Sequence, residues 1–387
     1  MAVTPIRSKE RVSDFPGLRE IVSTIEQGLA EGKLPLFVVG SGVSATAVPL
    51  LGEMTQWFLN NIPAANLDKD LARQLIAQGS LICQDKATRA DAAGFFAALQ
   101  LVGSHKGLEE LWQNFSKALT VTGFPKREGT YTGLFALRPH HCSDAHRILA
   151  RLLKMRLCHV LNLNYDPLLL LAGQETNDGN NIIPLYSTGD IIAYYTANAR
   201  GLDGIQPAIT NARGDVFFAK CQNPLCPQQN VDRVIEPYKF TEPGDAFTCP
   251  VCRQQDSSRL QLSFPGYEAK EKLVRDTVRC LRRFIAQRAS IVISLGLSGQ
   301  WDPFLIQELL DLAASYELPV VYVRRSALDP SKVNFFEQLI QRSYPEIMVQ
   351  YSGNCACLMK VGQTADNFCK SLASSIEAFA DSIGPPL

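Results

Sequence analysis

Four cysteines stand where metal chemistry would need them. Four residues separate Cys221 from Cys226 and two separate Cys249 from Cys252, with 22 residues between the pairs. Two short knuckles of this kind can bring four thiolates around a tetrahedral Zn2+. Pro224, Pro227 and Pro250 suit tight knuckle turns, and the segment has little apolar material of its own, so a metal would supply its folding energy. A closed set of four thiolates leaves no position for a substrate, so the expected role is structural. The plain alternative is four incidental thiols in a loop. Cys83, Cys142, Cys158, Cys280, Cys355, Cys357 and Cys369 read as small buried hydrophobes.

A second chemical feature begins at Leu34. The apolar run LPLFVVG leads straight into Gly40-Ser41-Gly42-Val43-Ser44-Ala45. A strand followed by G-x-G-x-x-A is the setting in which a glycine turn holds a pyrophosphate. The first glycine allows the tight turn, and the second lets backbone amides approach the phosphates. A hydride-transferring enzyme would add a second strand ending in an acidic residue about 20 positions on. Residues 55–61 (TQWFLNN) read as helix instead, which weakens that reading. A purely structural turn is the other possibility.

These groups need elements to carry them. Strands are expected at Leu34–Gly40, Leu157–Leu163, Ser290–Gly296, Leu318–Arg324 and Glu346–Tyr351. Most lack polar alternation, as strands of a parallel sheet covered on both faces do. Between them lie helical patterns: Leu108, Leu111, Trp112, Phe115 and Leu119 form one stripe, and Leu149, Leu152, Leu153 and Arg156 another. The alternation predicts an α/β fold with a doubly wound parallel sheet. From about Gly52 to Arg138 the pattern is helical with no convincing strand. From about Phe217 to Leu262 regular periodicity disappears.

The totals bound the classes. The 387 residues can form a large core, and 46% hydrophobic with 20% charged residues is a globular balance. Lys+Arg and Asp+Glu are both 38, so no basic excess points to nucleic acid. Arg279, Arg282, Arg283 and Arg288 read as a solvated helix face. No apolar run reaches the roughly 18 residues of a membrane span, and the N-terminus has no signal-peptide core. Eleven scattered cysteines suggest reduced thiols and a cytoplasmic setting.

Taken in order, several segments resemble the sirtuins (the silent-information-regulator superfamily). Gly40-Ser41-Gly42-Val43-Ser44 resembles that family's Gly-Ala-Gly-Ile-Ser. Asn162–Gly173 (NLNYDPLLLLAG) resembles its Thr-Gln-Asn-Ile-Asp motif and the Ala-Gly downstream. Ala145-His146 resembles the Ala-His of the preceding helix, Gly296-Leu297-Ser298 a late cofactor-side element, and Gly362-x-x-Ala365-Asp366 the final cofactor-side turn. The resemblance covers roughly residues 34–50 and 140–380. It implies a Rossmann-like NAD-binding domain over 1–51, 139–216 and 263–387, a helical insertion over 52–138, and a zinc-binding module over 217–262. It also implies NAD contacts at Gly40, Ser41, Gly42, Val43, Ser44, Asn164, Asp166, Gly296, Ser298 and Asp366.

The departures shape the expected activity. Arg213-Gly214 stands where the family has its catalytic His-Gly, and arginine cannot take a proton near pH 7. The Asp-Phe-Arg after the glycine motif is replaced by Pro49-Leu50-Leu51-Gly52-Glu53, and Leu163 and Leu169 replace the family's Gln and His. The chain is expected to be an NAD+ hydrolase: Asn164 orients a water, Asp166 holds the loop and the ribose hydroxyls, and Arg213 binds phosphate or ribose. His141, His146, His159 and Asp215 are the other bases near in sequence; His146 is expected to cap or pack its helix and His159 to lie in a strand. Chains of this kind resemble the NAD-hydrolysing subunits of prokaryotic antiviral systems, which act as oligomers or with a partner such as a HerA-type ATPase or a short Argonaute. A catalytically silent NAD sensor and, third, a protein deacylase are the competing readings.

Overall fold

The computed structural model describes residues 17–50, 117–126, 129–175, 182–185, 188–199, 207–212, 214–221, 223–227, 232–234, 248–249, 251–254, 258–262, 279–284, 288–297, 318–323, 358–361 and 364–383, with isolated positions at 53–54, 57, 60–61, 69–70, 111, 114–115, 309, 311, 313 and 315–316. Seven strands form one sheet: β1 (Leu34–Val39), β2 (His159–Asn162), β3 (Ile183–Leu185), β4 (Ala208–Asn211), β8 (Ala289–Leu295), β9 (Val320–Val323) and β10 (Leu358–Val361). Their order is β10-β9-β8-β1-β2-β4-β3, and every neighbouring pair is parallel.

The apolar runs form strands because both faces are covered. On one face Phe37, Val39, Val160, Ile293 and Val321 pack against helices α1 (Leu18–Ala30), α2 (Asp144–Lys154), α3 (Leu168–Gln174) and α5 (Ala365–Ile383). On the other, Leu36, Val38, Leu161, Val292 and Tyr322 pack against α4 (Thr188–Ala199) and Phe284. After β1 the chain moves to one side of it, through β2 to β4. It then returns to the other side at β8 and moves outward to β10. The reversal lies between β1 and β8, and at such a switch point the carboxyl ends of the strands leave a crevice.

The described residues of the segment expected to lack periodicity include a small antiparallel sheet. It contains β5 (Gly214–Cys221), β6 (Asp232–Val234) and β7 (Ser258–Leu262) in the order β6-β5-β7. Within 52–138 the described residues include a wide helical turn, Ala118–Thr122, and a tight hairpin in which Tyr131 N–H donates to Phe124 O at 2.7 Å. Leu111, Phe115 and Leu119 are buried as the stripe predicts, whereas Leu108 and Trp112 lie outside the described residues. Arg156 does not belong to the second stripe: α2 ends before it, and it is exposed with a left-handed φ of 58°. Glu346–Tyr351 also lies outside the described residues. Among them, no helix is long and apolar enough to cross a membrane.

Candidate functional site

The ends of β1 and β8 meet at three glycines. Gly40 N–H donates to Leu295 O at 2.9 Å, and Gly42 N–H donates to Gly296 O at 2.9 Å. A Cβ on Gly42 would stand 2.7 Å from Gly296 O, and one on Gly40 2.8 Å from the Leu297 side chain. Gly296 has a φ of 63°, which only glycine adopts without strain, and a Cβ there would stand 2.7 Å from Val43 N. These glycines therefore serve close packing of one turn on the other, a reason that the phosphate argument alone did not supply. Ser41–Val43 form a single 3-10 turn, with Ser41 and Gly42 exposed. The amides of Ser41, Ala45 and Thr46 have no backbone partner among the described residues.

Beneath this turn lies a buried polar cluster centred on Ser44. Its position is set from α2, whose N-cap is Ser143. Ser143 N–H donates to His146 Nδ1 at 3.1 Å, so Nδ1 is the bare nitrogen and Nε2 carries the hydrogen. Nε2 then donates to Ser44 Oγ at 3.2 Å. Burial pushes the His146 pKa down to about 3, which keeps the ring neutral. Asn164 Nδ2 also donates to Ser44 Oγ, at 3.2 Å, and to Gly40 O, at 3.2 Å. Because a carbonyl only accepts, the Gly40 contact fixes which end of the amide is nitrogen.

Ser44 gives its own hydrogen to Asp166. Burial raises the Asp166 carboxyl to about 6, while the bonds from Ser44 and from Leu168 N–H, at 3.1 Å, pull it the other way. Asn164 Oδ1 is buried with no hydrogen-bond partner among the described residues. Orphaned acceptors of this kind are uncommon in folded proteins and are often filled by a ligand or water.

Two residues that the sequence reading passed over complete the cluster. Asn162, at the end of β2, accepts from Asn164 N–H at 3.2 Å and donates to Asn211 Oδ1 at 2.9 Å. Asn211 ends β4, two positions before Arg213. An N-x-N at a strand end was the available signal, but cross-strand register was needed to bring Asn211 beside it. Ser41, Gly42, Val43, Ser44, Asn164 and Asp166 thus gather at one switch point with Gly40 and Gly296.

Asp366 opens α5, which packs against the Ser41–Val43 turn, and it caps α2 beside His146, accepting from Ala145 N–H at 2.8 Å. Arg213 and Ser298 lie outside the described residues. Of the alternative bases, His159 is buried in β2 against Phe284, with ring centroids 4.3 Å apart, and His141 is engaged by Arg138 N–H at 3.0 Å. Asp215 lies in β5.

The four cysteines converge as their spacing predicts. Their sulfurs all lie within 4.8 Å of one another, with Cys221 to Cys252 and Cys226 to Cys249 both at 3.8 Å. Four sulfurs about 2.3 Å from a central Zn2+ form a tetrahedron with edges of about 3.8 Å, so the group can hold the ion. A hydrogen bond from Asn223 and one from the Gln254 amide bring the Cys252 thiol down to about 6, which favours the thiolate that a metal needs. Asn223 and Gln254 sit on the knuckles themselves. Cys142, Cys158 and Cys369 are buried, as small hydrophobes would be, and Cys280 is half-buried.

No protein-family model matches the chain, and no curated protein matches it. Among solved structures it is similar to a Sir2 homologue in complex with NAD, at 13% identity and a TM-score of 0.45, with 95% of each chain covered. It is also similar to a histidine-to-asparagine mutant of a Sir2 homologue in complex with ADP-ribose, at 14% identity and a TM-score of 0.48, with 94% of this chain and 98% of that one covered. Likeness at this level concerns the course of the chain and assigns no residue.

Proposed function

We propose that this chain is a sirtuin-like NAD+ hydrolase that cleaves nicotinamide from ADP-ribose, acting as a defence effector in an oligomer or with a partner protein. The observation that carries the reading is Asn164 Oδ1, a buried acceptor without a partner beside the glycine turn. A water or ribose hydroxyl donating to it would satisfy the atom and place an oxygen next to the sugar. Gly40 O and Ser44 Oγ prevent the amide from turning, so the acceptor is preorganised.

Cleavage of the nicotinamide–ribose bond develops positive charge on the sugar. Asp166, ionised at neutral pH despite its raised pKa, lies within the same cluster and stabilises such charge. The exposed backbone of Ser41 and Gly42, together with the amides of Ala45 and Thr46, supplies donors for the pyrophosphate. Arg213 follows Ala212 at the end of β4 and, always protonated, serves phosphate or ribose as a cation. Defence and assembly rest on the sequence resemblance alone. Nicotinamide release from NAD+ by the zinc-loaded protein tests the activity; loss of release in Asn164→Ala is the expected result.

The arginine at 213 favours a second reading, a silent NAD sensor. Tight NAD+ binding by calorimetry without nicotinamide release, alone or in complex, would establish it instead.

A further inference from the structure

We infer that Asn162 is a positioning residue that sets the reactive amide of Asn164 in place; the inference rests on the hydrolase reading of that same site. Asn162 is almost fully buried at the last position of β2, where backbone pairing ends. Beyond it Leu163 N–H still donates to Val39 O at 2.9 Å, and the Asn164 amide must then find a partner of its own. Asn162 Oδ1 provides it at 3.2 Å, closing a side-chain turn of the i to i+2 type. The same side chain's Nδ2 lies 3.4 Å from Asn164 O, so it holds both polar groups of the Asn164 main chain.

Asn162 is itself held in this rotamer. Its Nδ2 donates to Asn211 Oδ1 at 2.9 Å, and its main-chain carbonyl, accepting from Ala212 N–H at 3.2 Å, ties its backbone to the end of β4. The end of β4 therefore fixes Asn162, and Asn162 fixes the backbone from which Asn164 reaches Gly40 and Ser44. Without the turn, the Asn164 side chain keeps its two donor contacts only if the backbone stays in place unaided. Displacements of about 1 Å at a reacting group can cost ~100-fold in rate. The loss belongs to the chemical step and not to NAD+ binding, because the exposed glycine turn is unaffected.

The test uses full-length, zinc-loaded protein carrying Asn162→Ala or Asn162→Thr. The threonine hydroxyl can close the same i to i+2 turn, and its β-branched side chain is restricted in rotamer without help from Asn211. Hydrogen exchange at the Asn164 amide is measured together with steady-state nicotinamide release. The expected result for Asn162→Ala is at least tenfold faster exchange at Asn164 and at least a tenfold lower kcat, with KM for NAD+ within threefold of wild type. Asn162→Thr is expected to restore both to within threefold.

Unchanged exchange at Asn164 in the alanine variant overturns the inference, as does a threonine variant as impaired as alanine. So does a loss of kcat that comes with an equal rise in KM. Should Asn162→Ala not fold, the threonine variant decides on its own: retained protection and kcat support the inference, and loss of both overturns it. If wild-type protein releases no nicotinamide, the hydrolase reading fails, and Asn164 exchange in the variants alone judges the positioning role.

Discussion

At the Ser44 hydroxyl, hydrogens arrive from His146 Nε2 and Asn164 Nδ2, and one leaves for Asp166. Ser44→Ala would leave His146 and Asp166 short of a partner, at about 1–3 kcal/mol for each group left unsatisfied. Its denaturation midpoint should fall well below that of Thr46→Ala on the exposed rim. Titration gives a second prediction at this scale. Burial depresses both His146 and His159 to about 3, against 6.5 when unfolded. Stability present above pH 6.5 is therefore lost as pH falls towards 3, by about 2 kcal/mol per histidine at pH 5. Asp166 acts with the opposite sign. Its folded carboxyl keeps a proton up to about 6 against 3.8 unfolded, so its contribution is present below 3.8 and lost as pH rises through 6. Two histidines outweigh one carboxyl between pH 6.5 and 5, so melting temperature should fall with acidification over that range. His159→Leu should flatten the profile; a profile parallel to wild type would contradict the assignment. Asn164 and Asp166 were visible in sequence because a motif carried them. Their dependence on His146 and Asn162 was not, since it needs contacts across 102 residues in one case and a side-chain turn in the other.

The elements that carry these residues depend on close approach. Gly32 and Gly296 both have positive φ, but a Cβ on Gly32 meets open space while one on Gly296 meets Val43 N. Gly32→Ala should then cost only the left-handed strain, ~1 kcal/mol. Gly296→Ala adds the displacement of the β1 turn and should cost ~3 kcal/mol, read as the shift in denaturant midpoint. The hairpin Phe124–Tyr131 braces the chain that follows the glycine turn. Tyr131 Oη donates to Glu53 Oε1 at 2.9 Å, Glu53 Oε2 accepts from Leu50 N–H at 2.7 Å, and the Lys126 ammonium lies 4.8 Å from the Tyr131 ring centre. Tyr131→Phe removes the link and should lower stability by about 1–2 kcal/mol in the same measurement. The long apolar strands β1 and β8 were legible because burial on both faces leaves an unbroken hydrophobic run. The short strands β3, with Pro184, and β4 (Ala208–Asn211) were not, because three or four residues give no period and their pairing is set by neighbours. β5 (GDVFFAKC) was missed for a different reason: its apolar run is only four residues long and lies at the edge of a stretch rich in Cys, Pro, Gln and Asp.

Across the whole molecule, a parallel sheet with two covered faces stands beside a three-stranded ribbon, and among the described residues the four cysteines form a cluster of their own. One zinc per chain is the expected stoichiometry by elemental analysis. Chelation should melt the ribbon, seen as faster hydrogen exchange across Gly214–Cys221 and Ser258–Leu262, while β1 and β8 stay protected. Equal deprotection of both sheets would argue that they fold as one unit. The measurement that bears most directly on the central claim is nicotinamide release from NAD+ by the zinc-loaded protein, alone and with its assembly partner, beside Asn164→Ala. Release by the wild type and at least a hundredfold loss in the variant is the predicted result. Equal release by both proteins, or none from wild type in any assembly, would contradict it.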